Sequence, residues 1–282
     1  MVKIIADSTC DLSQELIEKY NISILPLHII LGEEEFNDGI NITPEEIYKW
    51  SDANNTTPKT SAPSTQEAID ILMPYIENND EVICFSISED MSATANVLRI
   101  AAEELEADDR IWVINSANLS TGIGLLVIEA AIMASQGKSA SDIAEEIEKL
   151  KPMVRSSFVV DTLTFLHRGG RCSSISAMAG GILKIHPKIV VENGKMGSTE
   201  KYRGRIDKVI LSYVKDMEED LKNARPDRVF ITHSECSQDI VDSVKEYLGQ
   251  LGIFKEILIT RAGGVISSHC GPGTLGVLFI AR

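Results

Sequence analysis

Short apolar runs alternate with longer amphipathic stretches in the first half of the chain. A short apolar run bounded by turn residues predicts a buried strand, and apolar residues that recur every three or four positions predict a helix. The pattern predicts strands at 2–6, 22–30, 81–87 and 110–114, and helices at 13–20, 43–51, 64–77, 92–105 and 121–136. Strands that alternate with helices favour a parallel sheet with helices on its faces.

The pattern changes after one more amphipathic helix at 139–150, which Pro152 ends. The remaining residues predict strands at 156–160, 228–233, 256–260 and 276–281, and a further strand with a turn at Asn193-Gly194. They also predict helices at 207–222 and 238–251 and a segment of small residues at 173–181. We therefore predict an α/β protein of two domains. The first domain spans 1–153 and has a parallel sheet, and the second spans 154–282 and is a mixed α/β domain.

Composition narrows the possible functions. The chain has 282 residues, which suffices for two domains, and its net charge of −15 disfavours nucleic-acid binding, which depends on clustered Lys and Arg. The longest apolar stretch, 123–134, contains Glu129 and is too short to span a bilayer. The five cysteines are scattered without a CxxC pair, so neither a disulfide framework nor a zinc site is indicated. We expect a soluble, cytoplasmic protein without stable membrane insertion.

Three loops rich in hydroxyl groups precede predicted helices, at 8–13, 59–64 and 86–94. Unpaired N–H groups at helix N-termini attract anions, and ligands of parallel α/β sheets bind beyond the C-terminal ends of the strands. The loops therefore suggest a pocket for a small anionic group. Ser and Thr in such positions are also common helix caps, as Ser64 with Glu67 three residues later illustrates. The capping interpretation stays open for each loop taken alone.

Few motifs of known catalytic or nucleotide-binding sites are present. Thr121-Gly122-Ile123-Gly124 lacks the third glycine of a dinucleotide-binding loop, and no phosphate loop, nucleophile elbow or HExxH motif occurs. His269 precedes Cys270-Gly271-Pro272-Gly273, which is either a ligand-binding loop or an ordinary Gly-Pro turn. Arg171 follows Gly169-Gly170 and could hold a carboxylate or form a salt bridge between domains.

Five motifs in this order resemble the DegV family: Asp7-Ser8-Thr9-Cys10-Asp11-Leu12-Ser13, Thr60-Ser61-Ala62-Pro63-Ser64, Ser92-Ala93-Thr94, Gly169-Gly170-Arg171 and His269-Cys270-Gly271-Pro272-Gly273. The resemblance spans essentially the whole chain. It implies a bacterial fatty-acid-binding protein that holds one acyl chain, such as palmitate, stearate or oleate, between two α/β domains. Some family members present the carboxyl group to a separate fatty acid kinase.

The resemblance also implies roles for individual residues. Thr60 and Ser92 correspond to hydroxyls that bind the fatty-acid carboxylate, and Ser61 is the adjacent alternative. Arg171 and His269 correspond to polar residues near the head group. The family usually has Ser-Gly-Thr where this chain has Ala93 between Ser92 and Thr94, so the shape of this loop could differ. No cofactor, metal or catalytic residue is implied.

Two other functions use parts of the same residue set. In an acyl-ester hydrolase, Ser92 would be the nucleophile and His269 the base. The missing nucleophile elbow and third triad member weigh against it. A nucleotide-binding regulator is the least supported, because no phosphate loop exists.

Overall fold

The computed structural model describes residues 1–172 and 185–282. The small-residue segment predicted at 173–181 lies outside the described residues. The helices are α1 (Gln14–Lys19), α2 (Pro44–Asn54), α3 (Thr65–Glu77), α4 (Thr94–Glu104), α5 (Thr121–Ser135), α6 (Ala140–Leu150), α7 (Thr164–Gly169), α8 (Ile206–Asp216), α9 (Glu218–Lys222), α10 (Gln238–Gln250) and α11 (Gly264–Cys270). The strands are β1 (Val2–Asp7), β2 (Ser23–Leu25), β3 (His28–Leu31), β4 (Glu34–Asn37), β5 (Lys59–Ser61), β6 (Glu81–Ser86), β7 (Ile111–Asn115), β8 (Val154–Val159), β9 (Ile185–Glu192), β10 (Lys195–Arg203), β11 (Ala224–Ser234), β12 (Glu256–Arg261) and β13 (Thr274–Ala281).

Two main sheets confirm the predicted α/β class. The first has the order β2-β1-β6-β7, and all its pairs are parallel. The second has the order β10-β9-β8-β13-β11-β12, in which only β11 and β12 pair in parallel. The second sheet is therefore mixed. The predicted turn at Asn193-Gly194 is present, and it joins two strands, β9 and β10, as a hairpin.

A small antiparallel sheet with the order β4-β3-β5 changes two predictions. The single strand predicted at 22–30 is wrong, because β2 joins the parallel sheet and β3 joins this small sheet. Pro26 lies between the two strands and has no N–H to donate to a ladder. Thr60 and Ser61, predicted in a loop, lie in β5, where Thr60 pairs with Ile29.

Helix α5 lies between the two main sheets. Its residues contact β1 and β6 on one side and β8 and β13 on the other. A helix that is apolar all round is a core helix, and Ile123, Leu125 and Leu126 are each fully buried. Their cluster includes Phe85 of the first sheet and Phe158 of the second, so both sheets share one hydrophobic core.

Two further predictions about helices are wrong. The helix predicted at 207–222 is divided into α8 and α9 at Met217, a buried residue with helix-breaking φ and ψ of −89° and 5°. The segment around His269, predicted as a loop, is helical up to Cys270. Gly271 follows with a φ of 79°, so the Gly-Pro segment ends α11 rather than forming a loop around His269.

Candidate functional site

A cavity of about 280 Å³ lies between the C-terminal ends of the parallel strands and one face of the second sheet. Its walls come from β5, the loops after β6 and β7, α7, α11 and strands β8, β11 and β13. All five residues predicted for the site line it: Thr60, Ser61, Ser92, Arg171 and His269. Of the three hydroxyl loops, the second and third reach the cavity. The first does not, because Ser8 instead bonds Asp38 and Thr9 bonds Asp7.

Thr60 and His269 form the central polar contact of the cavity. The Oγ1 atom of Thr60 lies 2.8 Å from Nε2 of His269, although 209 residues separate them in the chain. Thr60 is placed by the pairing of β5 with β3, and His269 lies near the end of α11. The contact therefore joins the two halves of the chain at the cavity wall.

The second nitrogen of the His269 ring faces the backbone of Gly169. Among the described residues, Nδ1 of His269 has no hydrogen-bond partner. A Cβ atom at Gly169 would lie only 2.4 Å from Nδ1, so glycine is what lets α7 pass this close to the ring. Burial of the ring, with a smaller contribution from the Arg171 charge, lowers the pKa of His269 to about 4. The imidazole is therefore neutral near pH 7.

Ser92 lies in the turn before α4. Its Oγ atom is 2.9 Å from Oγ1 of Thr94 and accepts a hydrogen bond from the backbone N–H of Thr94 at 3.4 Å. Ala93, the residue that departs from the family pattern, is the N-cap and has a φ of −82°. Its backbone lies in a region open to any residue, so this loop does not require glycine at that position.

Ser61 is half-buried like Thr60, Ser92 and His269, whereas Arg171 is the exposed member of the set. Ser61 follows Thr60 in β5, and successive side chains of a strand point to opposite faces. The Arg171 side chain is exposed, and its Nη1 donates a 2.7 Å hydrogen bond to the carbonyl of Gly169. Within 1–172 and 185–282, Arg171 forms no ion pair with an acidic residue, so the interdomain salt bridge considered for it is not found there.

Most of the remaining cavity wall is apolar, and sequence reasoning identified none of it. These residues come from eight elements or loops: Leu27, Ile87, Met91, Leu119, Phe158, Leu166, Met196, Val265, Ile266 and Leu278. Each has the appearance of an ordinary core residue in the sequence. Only their convergence on one space, set by the packing of the two sheets, distinguishes them.

The described part of the chain shows neither a metal-binding cluster nor a membrane-spanning helix. Residues 1–172 and 185–282 contain no cluster of three or more His, Cys, Asp or Glu side chains arranged to hold a metal ion. No helix among the same residues has the length and apolar character needed to cross a membrane.

Comparison with known proteins decides the family. A family model described as "Uncharacterised protein, DegV family" matches residues 1–282. The chain belongs to the DegV family. A DegV domain-containing protein of Clostridium perfringens is 32% identical over 279 residues, which cover 99% of this chain and 98% of that protein.

Solved DegV structures share the fold over the full length. A fatty-acid-binding DegV family protein from Thermus thermophilus superposes with a TM-score of 0.91 at 28% identity, covering 100% of this chain and 99% of that one. DegV of Bacillus subtilis, a fatty acid binding protein, gives 0.87 at 28% identity, with coverage of 100% and 99%. A stearic acid-binding protein from Eubacterium ventriosum also gives 0.87 at 28% identity, with coverage of 100% and 98%.

Proposed function

We propose that this DegV protein binds one long-chain fatty acid in the cavity, with the carboxylate at Thr60 and Ser92. The observation that carries the proposal is an apolar cavity with the Thr60–His269 pair on its wall, in a chain similar to fatty-acid-binding structures over its full length. A buried carboxylate needs hydrogen bonds or a cation, and the two hydroxyls supply the former. Palmitate, stearate and oleate are the candidate ligands.

The acyl chain supplies most of the affinity. Each buried methylene group contributes about 0.8 kcal/mol, so a sixteen-carbon chain gains on the order of 12 kcal/mol before the cost of ordering it. Met91 and Met196 line the cavity, and their unbranched side chains adapt to a flexible ligand. The head group then sets the direction of the ligand rather than the bulk of its binding energy.

His269 acts through Thr60 in this proposal. Its Nδ1 atom faces Gly169 without a partner among the described residues, and a buried orphan N–H is costlier than a bare acceptor nitrogen. The proton is therefore on Nε2, which donates to Oγ1 of Thr60. The hydroxyl proton of Thr60 is then available to the ligand carboxylate. A charged imidazolium is not needed, in accord with the lowered pKa of His269.

We further propose that the bound carboxyl group is presented to a fatty acid kinase, which forms the acyl phosphate. Arg171 lines the cavity and is also exposed, which is the placement that contact with both a ligand carboxylate and a docked partner requires. The chain has no phosphate loop of its own, and we expect no transfer without the kinase. The protein would then be the non-catalytic, substrate-presenting subunit, acting in the cytoplasm.

The geometry gives a hydrolase less support. Ser92 Oγ bonds Thr94, whereas Nε2 of His269 bonds Thr60, so the proposed nucleophile and base are not paired. Thr60 and His269 have the spacing of a nucleophile and its base. However, a histidine with a pKa near 4 is a weak base, and no third residue orients its Nδ1 within the described parts of the chain.

Native mass spectrometry of the freshly purified protein tests fatty-acid binding. We expect a mass excess of one long-chain fatty acid, which gas chromatography of an organic extract would identify. Protein that carries no fatty acid and takes up neither palmitate nor oleate would contradict the proposal.

Reconstitution with labelled ATP and a cognate fatty acid kinase tests presentation. Acyl phosphate should form only when both proteins are present, and Arg171→Ala should slow its formation more than it weakens oleate binding. Acyl phosphate formed by this protein alone would contradict a non-catalytic role.

A further inference from the structure

Two buried carboxylates meet the start of α11, the helix that carries His269. The Oδ1 atom of Asp11 accepts a hydrogen bond of 2.8 Å from the N–H of Gly263. The Oδ1 atom of Asp38 accepts one of 2.7 Å from the N–H of Gly264. Both aspartates belong to the first half of the chain, and α11 belongs to the second. These contacts therefore cross between the halves beside the cavity.

Each carboxylate is fixed from its other side by a serine hydroxyl. Ser120 donates to Oδ2 of Asp11 at 2.5 Å, and Ser8 donates to Oδ2 of Asp38 at 2.8 Å. The two aspartates are 5% and 2% exposed, respectively, and neither forms a salt bridge within the described residues. Because both acceptors are held rigidly, they fix the positions of the N–H groups of Gly263 and Gly264. A mobile carboxylate on the surface would not.

The fit around the two glycines is tight. A Cβ atom at Gly263 would lie 3.2 Å from Asp11 Oδ1 and 3.3 Å from both carboxylate oxygens of Asp38. At Gly264 it would lie 2.5 Å from Cδ1 of Ile29 and 2.9 Å from Cδ1 of Ile47. The first turn of α11 can therefore approach the carboxylates only because these two residues have no side chain.

The rest of α11 is held differently. Tyr48 OH donates to the carbonyl of Ser267 at 3.3 Å, and Ser234 Oγ lies 2.8 Å from Ser267 Oγ. These contacts fix the middle of the helix, while Asp11 and Asp38 fix its beginning. His269 comes five residues after Gly264, so a tilt or axial shift at the first turn moves its ring relative to β5.

We propose that Asp11 and Asp38 are positioning residues for ligand binding. They hold the first turn of α11 and thereby keep Nε2 of His269 at hydrogen-bond distance from Thr60. The consequence for fatty-acid affinity rests on the proposed function. The consequence for the His269–Thr60 hydrogen bond does not.

The test compares oleate dissociation constants of single aspartate variants. Asp11→Ala and Asp38→Ala remove the acceptors, and each should weaken oleate binding about tenfold, because a glycine N–H of the first turn is left without its partner. Asp11→Asn and Asp38→Asn keep one carbonyl oxygen for the glycine N–H and an amide for the serine oxygen. We expect the Asn variants to bind within about threefold of the wild type.

Asp80→Ala is the matched control. Asp80 is also a buried aspartate, but its partners are the N-terminal amine and Asn78, and it does not line the cavity. Its loss should lower stability and leave oleate affinity unchanged. Wild-type affinity in both Asp→Ala variants, or an equal loss in Asp80→Ala, would overturn the positioning role.

A second measurement tests the positioning role without relying on oleate binding. It includes a milder variant in case the aspartate variants fold poorly. Imidazole ¹⁵N NMR of the ligand-free protein should show the His269 proton on Nε2 in the wild type. It should show exchange between tautomers in Asp38→Ala, and also, to a smaller extent, in Ser8→Ala, which removes only the serine support of Asp38. Unchanged His269 signals in both variants would overturn the proposal. Altered signals in a protein without oleate affinity would count against the proposed function alone.

Discussion

The two halves of the chain meet in two chemically different regions, one around α5 and one around α11. The α5 region is mainly an apolar core in which one helix packs against both sheets, and its polar contacts to the second half are made by Thr121 with Thr232 and by Glu129 with Arg225 and Arg228. In the α11 region, carboxylates, hydroxyls and a histidine form hydrogen bonds between the halves. Apolar burial is strong but insensitive to direction, whereas hydrogen bonds are weaker and fix geometry. We infer that α5 supplies stability and that α11 supplies orientation.

The comparison predicts the largest loss of stability at α5. Leu126 is fully buried in α5, and Leu126→Ala should lower the free energy of unfolding by about 2–5 kcal/mol, the usual cost of such a cavity. Oleate affinity of the folded variant should stay within about twofold of the wild type, because Leu126 does not line the cavity. Urea unfolding and calorimetry measure the two quantities. A large loss of affinity without a loss of stability would reverse the assignment of roles.

A second prediction concerns the stability cost of a buried carboxylate, that of Asp7 at the end of β1. Burial raises the pKa of Asp7 to about 6 from its ordinary value of 3.8, against the effect of its hydrogen bonds with Thr9 and Ile87. Because the folded-state pKa is the higher one, this group favours folding below pH ~4, and the contribution disappears as the pH rises through 6. Relative to Asp7→Asn, the wild type should lose about 2.4 kcal/mol of stability between pH 4 and 7.5. A pH-independent difference between the two proteins would contradict the burial effect.

A smaller effect should come from crowding the His269 ring. The added methyl group of Gly169→Ala would lie 2.4 Å from Nδ1, so the ring must shift and its 2.8 Å contact with Thr60 is distorted. Loss of this neutral hydrogen bond should weaken oleate binding by about 1 kcal/mol, or roughly fivefold. Gly197→Ala is the control, since no atom lies within 4 Å of the Cβ position there. Equal affinities of the two variants would show that the ring position does not matter.

The smallest effect is expected at Arg171. Its side chain is exposed, and exposed charge pairs contribute about 0–1 kcal/mol. Arg171→Ala should therefore weaken oleate binding by no more than about fivefold at low salt, and the difference should shrink as salt is added. Titration calorimetry at two ionic strengths checks this. A loss of a hundredfold would mean that Arg171 is a principal ligand of the carboxylate.

The sequence predicted the elements of the parallel sheet well, because strand runs and caps are local signals. The capping boxes at Thr43 and Ser64 both form. Prediction from the sequence failed at β5 and α11, because these two elements form through long-range contacts. Three residues of β5 become a strand by pairing with β3, and a helix beginning with two glycines depends on Asp11 and Asp38. Glycine is a poor helix former, so its local preference is overridden there.

The site residues were found by family motifs rather than by local physics. Nothing in the sequence pattern pairs Thr60 with His269 across 209 positions, and the structure supplies that contact. The binding of a carboxylate by Thr60, Ser61 and Ser92 stays a prediction, as does the division into domains at 153. The apolar cavity wall could not be predicted, because its residues are ordinary core residues until the sheets pack.

A crystal structure of the protein with bound oleate tests the central claim most directly. We expect the acyl chain in the cavity between the two sheets, with a carboxylate oxygen within about 3 Å of Thr60 Oγ1 and the other near Ser92 Oγ. The contact between His269 Nε2 and Thr60 should persist. A carboxylate at the opposite end of the cavity, or oleate bound elsewhere while the cavity stays closed to it, would contradict the account.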